Sequence, residues 1–373
     1  MAEAIIGAET GQPTSYSRRW CFYSKGKRYR GTDYTYGTVT TAVAECDRAD
    51  VIIDHRVTPG NLGWQSSFVA TDRLMQVWRA REGELVYTPS GEVIWLKDDA
   101  GQPIDYRGTR ETQRLRRTLE PINEGLAPLA IEIPGAKRRG HLLVIDGSYV
   151  LPTPGNALRR IFNRNSFAMG GRAYGWWQNI PKSARAGLTI NGEATAEVDY
   201  SAMHAAILYG NAGIKFTGDP YDIAGFERDE IKLGFNVALN AKNKRAAVAA
   251  LADHLGTGRT RAAQIIDAIM KRHKPIAHWF CSDAGVRLMR IDSDLILTAL
   301  QAVNDAGDPG LPIHDALIVP VRCAGNSAAK MVESFERIVG NVNPCNIKIK
   351  AGNLPHRGDR DLSPSSSLLS SAA

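Results

Sequence analysis

Apolar and polar positions alternate most clearly in the C-terminal half of the chain. Ala194, Ala196 and Val198 alternate with Thr195, Glu197 and Asp199, the two-residue period of a half-buried strand, and Ala202 to Leu208 continues as an apolar helix. Helical spacing follows at about 222–240, 243–255, 259–272 and 286–305, with breaks at Gly256, Pro275 and Gly285. Pro312 to Pro320 is a short apolar run bracketed by prolines, and it predicts a strand or a tight hairpin. Asp199 closes the first strand and Asp315 interrupts the second apolar run. A carboxylate in such a place loses its hydration without return unless something neutralises it.

The N-terminal half is less periodic. Arg18, Arg19, Lys25, Lys27, Arg28 and Arg30 alternate with Trp20, Phe22, Tyr23 and Tyr29, a mixture that suits phosphate contact with base stacking and equally suits a strand with one solvated face. Arg107, Arg110, Arg114, Arg116 and Arg117 stand where helical spacing begins, ahead of Leu126, Leu129 and Ile131, and read as a solvated helix face. The turn-rich stretch from Val144 to Gly155 marks a boundary. The expected organisation is a disordered tail over 1–17, a basic and aromatic lobe over 18–155, a main body over 156–352 with a helical insertion at about 218–290, and a disordered tail over 353–373. No internal repeat occurs, which removes solenoids and propellers.

Charge changes the picture more than composition does. The chain has 373 residues with a net charge of +7 and a pI near 9.1, a balance that favours polyanionic partners such as nucleic acid. Its five cysteines, Cys21, Cys46, Cys281, Cys323 and Cys345, form no C-x-x-C pair, which argues against a zinc ribbon and a disulfide framework. No long apolar run is present, so no membrane contact is expected and the cytoplasm is the expected compartment.

Two buried aspartates invite a cation, and carboxylate oxygens with retained waters are what Mg²⁺ prefers. Their surroundings point the same way. Trp177-Gln178-Asn179-Ile180-Pro181, then Arg185, then Glu197-Val198-Asp199-Tyr200-Ser201 resembles the Q-N-I-P segment and the D-Y-S motif of family A (DNA polymerase I-like) polymerases. Gly218-Asp219-Pro220-Tyr221, the R-x-x-x-K spacing of Arg228 and Lys232, and Ile313-His314-Asp315, preceded by a helix carrying Asp294, continue the resemblance in the family's order. The stretch Gly170-Gly171-Arg172-Ala173-Tyr174-Gly175 is similar to an element of the single-subunit phage and mitochondrial RNA polymerases. The likeness spans about residues 165–322.

The resemblance implies an α/β (α+β) fold, a right-hand palm with an antiparallel sheet, reduced helical fingers, and an N-terminal lobe suited to template binding or a thumb-like role. It implies template-directed nucleotidyl transfer on a DNA template-primer with nucleoside triphosphates, RNA being the alternative nucleic acid, in a small replication or repair enzyme of a phage or mobile element. Asp199 and Asp315 would hold two Mg²⁺ ions, with Mn²⁺ as a substitute, helped by the Tyr200 carbonyl. Tyr200, His204, Arg228, Lys232, Phe235 and His314 would face the substrate, and Arg172, Gln178, Asn179 and Arg185 the nucleic acid. His204 stands where the family usually places a sugar-selecting Glu, so dNTP and NTP use are not distinguished. Phe235, Asn236 and Asn240 replace the usual aromatic and Tyr-Gly of the fingers helix.

Two other classes compete. An HD-type metal phosphohydrolase would pair His314-Asp315 with His273 or His278 and with Asp359 or Asp361, but that class carries its His-Asp on a helix and 312–321 reads as a strand. A non-catalytic nucleic-acid-binding accessory protein derived from a polymerase fits the basic charge and the altered fingers helix. Oligomeric state leaves no mark in the sequence.

Overall fold

The computed structural model describes residues 1–24, 26–30, 34–57, 65–80, 91–139, 142–343 and 345–351. The architecture is mixed α+β. Strand Glu193–Tyr200 forms as its alternation predicts, with Ala196, Val198 and Tyr200 buried on one face and Glu197 and Asp199 on the other. It is the organising strand of a sheet in which Leu311–Ile313, Ala316–Pro320, Glu193–Tyr200, Thr189–Ile190 and Ile131–Glu132 follow in that order. Ile347–Ala351 pairs with the far half of Glu193–Tyr200. Every pairing in this sheet is antiparallel.

Helices Gly285–Asp305 and Ala324–Val339 back the sheet. The first is a long amphipathic helix whose Leu288, Leu295, Ala299, Leu300 and Val303 are fully buried. Between the two aspartates, helices Arg228–Asn240, Lys244–Leu255 and Arg259–Arg272 pack on one another through Ile231, Phe235, Leu251, Ile265 and Ile269. Gly234 makes this contact close, since a Cβ there would lie 2.8 Å from Ile265 and 2.9 Å from Ile269. The first of these helices begins at Arg228 rather than near 222, because Asp222 to Glu227 is turn and extended chain around Gly225.

The apolar core divides differently from the sequence expectation. One cluster joins Ile94 and Leu115 to Phe335 and Cys345, and it includes Ile145, Val150 and Leu158, so the expected boundary at Val144–Gly155 runs through its interior. The second cluster is built from Ala4, Ile5, Tyr16, Val43, Ile52, Phe68 and Leu74. Residues 1–17, expected as a disordered tail, therefore form helix Ala2–Thr10 and strand Thr14–Tyr16, held by Ala4, Ile5 and Tyr16 in that smaller core. The basic and aromatic stretch from Arg18 adopts short helical turns at Trp20–Tyr23 and Lys27–Arg30 rather than a strand. The tail expected over 353–373 lies outside the described residues, as do Asp359 and Asp361. Among the described residues no helix is long and apolar enough to cross a membrane.

Candidate active site

The site begins with strand register. Asp199 lies opposite Ala316 on one side and Lys348 on the other, and the Tyr200 N–H donates to the Asp315 carbonyl at 3.3 Å. Asp315 shares with His314 the two-residue turn that joins Leu311–Ile313 to Ala316–Pro320. The two carboxylate-bearing residues are thus neighbours across the end of one strand pair. Backbone strain accompanies them, because His314 and Ala202 hold φ of 52° and 54° without being glycine.

Electrostatics couple the pair. Burial first, and then the negative charge of Asp315, push the Asp199 carboxyl above the ordinary carboxylate range, while Lys350 pulls it back. Lys350 Nζ lies 3.2 Å from Asp199 Oδ2 and 3.3 Å from Glu197 Oε1. Burial opposes the charge on Lys350, yet Asp199 and Glu197 hold the ammonium above its usual value. Cys345 Sγ donates to the Ser201 carbonyl at 3.2 Å. Burial, then the charges of Asp199 and Asp315, push that thiol up to about 12, so it is a neutral neighbour.

A second layer of charge borders Asp315. Asp292, fully buried on the long helix, accepts from Arg172 Nη2 at 2.7 Å and lies 3.4 Å from His204 Nε2. Burial lowers Arg172, but its bonds to Asp292 and the charge of Asp315 more than offset this. Burial and then Arg172 lower His314 from its ordinary value, with Asp315 opposing, so its imidazole is neutral at pH 7. Two residues along the long helix, Asp294 binds the buried Arg160 at 2.8 Å and Arg290 at 2.9 Å.

The other expected residues separate into two groups. Arg228 and Lys232 both lie exposed on helix Arg228–Asn240, four residues apart and hence on one face. Arg228 Nε already binds Asp219 Oδ2 at 2.6 Å and its guanidinium lies 5.3 Å over the Tyr221 ring. Asn179 is exposed and Arg185 half-buried.

Three expectations are changed by burial or by hydrogen bonds within the fold. Phe235 is 0% exposed and packs edge-on against Tyr221, His273 and Phe280, so it is a core residue with no face open to a base. The Tyr200 ring points to the opposite side of the strand from Asp199, and its hydroxyl donates to the Met331 carbonyl at 2.6 Å, so its side chain is structural. Gln178 uses its amide to bind the carbonyls of Ala173 and Pro312, both at 3.0 Å, which fixes the approach to the hairpin instead of offering the amide to nucleic acid. The form of the hydrolase arrangement that uses His273 fails as well. His273 is fully buried, its ring nitrogens are engaged by Tyr209 at 3.0 Å and the Pro220 carbonyl at 2.9 Å, and burial lowers it to about 4.

Lys350, Glu197, Asp292 and Cys345 are the site members that sequence reasoning missed. The Ile347-Lys348-Ile349-Lys350 alternation is the signal for the strand that carries Lys350. Among the described residues no group of three or more His, Cys, Asp or Glu side chains is placed to enclose a metal.

No family profile matches the chain, and no curated protein matches it. A solved structure that it resembles is the POL domain of Pol1 from M. smegmatis in complex with DNA primer-template and dNTP, at 14% identity and a TM-score of 0.39, over 65% of this chain and 52% of that one. The chain thus spans about half the length of that structure, and the likeness to it is a distant one.

Proposed function

We propose that this chain performs template-directed nucleotidyl transfer, DNA synthesis first, with Asp199 and Asp315 as its metal-binding carboxylates. The observation that carries this reading is the juxtaposition of the two aspartates across the strand pair, with Asp199 held above its ordinary range by burial and by Asp315. An excess of negative charge on hard oxygen atoms suits Mg²⁺ or Mn²⁺. Asp199, Asp315 and the Tyr200 carbonyl would hold the ions, which supply charge neutralisation of the phosphates and acidification of the attacking hydroxyl.

The remaining work belongs to side chains. Arg228 and Lys232 would grip the triphosphate from one helix face, Arg228 exchanging Asp219 for phosphate. Neutral His314, in its strained turn beside Asp315, would position the primer end as a hydrogen-bonding group without adding positive charge. His204 and Arg172, anchored on Asp292, would hold the wall of the site next to the hairpin. Small replication or repair enzymes of mobile elements are the setting that this activity and the basic charge suit.

The test is primer extension with purified protein, a primed template, Mg²⁺ or Mn²⁺, and dNTPs or NTPs in parallel. Extension by the wild type that is abolished in both Asp199→Ala and Asp315→Ala is the expected result. Extension that survives either substitution overturns the metal assignment, and salt-sensitive DNA binding with no extension in the wild type favours the accessory protein.

A further inference from the structure

The arginine cluster at 107–117 is solvated but segregated: the exposed arginines occupy the N-terminal half of their helix, and the exposed Glu120 and Glu124 its C-terminal half. Helix Arg110–Leu126 buries Thr112, Leu115, Leu119, Ile122 and Leu126 on one side. Arg116 turns inward to bind Glu92 at 2.9 Å and lies over the Tyr106 ring. Arg110, Arg114 and Arg117, at helical spacings of four and three, project together from the opposite face, with Arg107 just before the helix; all four are exposed, and none makes an ion pair among the described residues. The acid of the first turn, Glu111, faces away, 3.9 Å from Arg290.

This placement runs against the helix's own electrostatics. Like charges three and four residues apart repel, and cations at a helix N-terminus oppose the macrodipole, which favours anions there. Conflicts of this kind, uncompensated within the protein, are expected where a ligand supplies the compensation. The ligand must be anionic and extended. With about 1.5 Å of rise per residue, Arg110 to Arg117 spans about 10 Å, the axial length of three phosphates along one nucleic-acid strand at about 3.4 Å each.

The helix is also tied to the candidate site. Glu111 approaches Arg290, Arg290 binds Asp294, and two residues back on the same long helix Asp292 holds Arg172 and His204 beside Asp315. A strand resting on the ridge would therefore lie on an element fixed to the wall of the catalytic hairpin.

We propose that Arg107, Arg110, Arg114 and Arg117 form a backbone-binding ridge for the nucleic-acid substrate. This rests on the nucleotidyl-transfer reading only for the identity of the substrate; the binding itself requires neither metal nor nucleotide.

The test is fluorescence anisotropy with a labelled 20-nucleotide single strand and the corresponding duplex, over a KCl series without divalent cation or nucleotide. Proteins compared are the wild type, the single variant Arg114→Gln, the triple variant Arg110→Gln/Arg114→Gln/Arg117→Gln, and Asp199→Asn/Asp315→Asn. Expected are an affinity loss of tenfold or more in the triple variant, a smaller loss in the single variant, and a salt slope shallower by about two to three, since each neutralised phosphate contributes about 0.7 to 0.9. The aspartate variant, which removes two negative charges, should bind no more weakly than the wild type. Equal affinity and slope in wild type and triple variant, or no binding by the wild type, overturns the ridge. So does ridge-dependent sedimentation with phosphatidylserine vesicles in place of oligonucleotide binding. Ridge-dependent binding by a protein that extends no primer supports the ridge while sinking the nucleotidyl-transfer reading.

Discussion

Lys350 places its ammonium 3.2 Å from the carboxylate of Asp199, and it reaches there from a strand whose backbone pairs with that of Asp199 itself. The protein thereby carries an internal cation at the group proposed to bind metal. Lys350→Ala leaves Asp199 facing Asp315 with less compensation. The expected loss of stability is modest, about 1 kcal/mol or less, because the Lys350 side chain is 53% exposed. A divalent cation should restore more of the loss in the variant than it adds to the wild type. Thermal melts with and without 10 mM Mg²⁺ check this, and equal stabilisation of both proteins would refute it.

Asp199 gives a pH dependence of definite sign. Its folded carboxyl is raised by burial and then by Asp315, so the folded state holds that proton more tightly than the unfolded chain. Stability from this group is therefore greatest at acid pH and falls as pH rises from the ordinary carboxylate value through the raised one. Asp199→Asn removes the charge, and should melt higher than the wild type near neutrality while losing primer extension. A lower melting temperature at pH 7 than the wild type's would show that Asp199 is held by favourable contacts instead.

How much of this was legible before the structure follows from periodicity. Glu193–Tyr200 and Gly285–Asp305 are readable because each repeats with the period of its element and buries one face, and the hairpin around His314-Asp315 because its strands, buried throughout, form one apolar run between prolines. The resemblance misplaces Phe235 because it assigns a role by order along the chain, whereas burial depends on Tyr221 and on His273 and Phe280, which flank one later turn. Asp292 was missed for a related reason. It sits in a helix of otherwise ordinary pattern, and only its partners Arg172 and His204, distant in sequence, mark it as a buried charge. Residues 1–17 read as a tail because only three scattered positions, Ala4, Ile5 and Tyr16, carry their packing.

His273 predicts acid sensitivity. Burial lowers it to about 4 from an ordinary value of 6.5, and its ring is held by Tyr209 and the Pro220 carbonyl. The unfolded state thus binds more protons between those values, and stability falls as pH drops from 6.5 to about 4. At about 1.4 kcal/mol for each pH unit, this group accounts for roughly 3 kcal/mol across the window. His273→Phe should be less stable at pH 7, since Tyr209 loses its partner, but its stability should change less between pH 6.5 and 4. Denaturant midpoints across that range decide it; parallel profiles for the two proteins would exclude His273 as the source.

Arg172 and Asp292 predict a coupling between stability and activity. Asp292 has no exposed surface, and Arg172 Nη2 at 2.7 Å is its nearest cation, with His204 farther off at 3.4 Å. Arg172→Met strands a buried carboxylate, a change that costs about 3–5 kcal/mol in comparable pairs. Replacing both residues, Arg172→Met with Asp292→Leu, should recover most of that loss, because the uncompensated charge is gone. The charge of Arg172 beside Asp315 is not recovered by the second change. The double variant should therefore fold nearly as well as the wild type and still extend primers poorly. Unfolding midpoints and extension rates measured on the same four proteins of the cycle separate the two roles, and a double variant with restored extension would confine Arg172 to the fold.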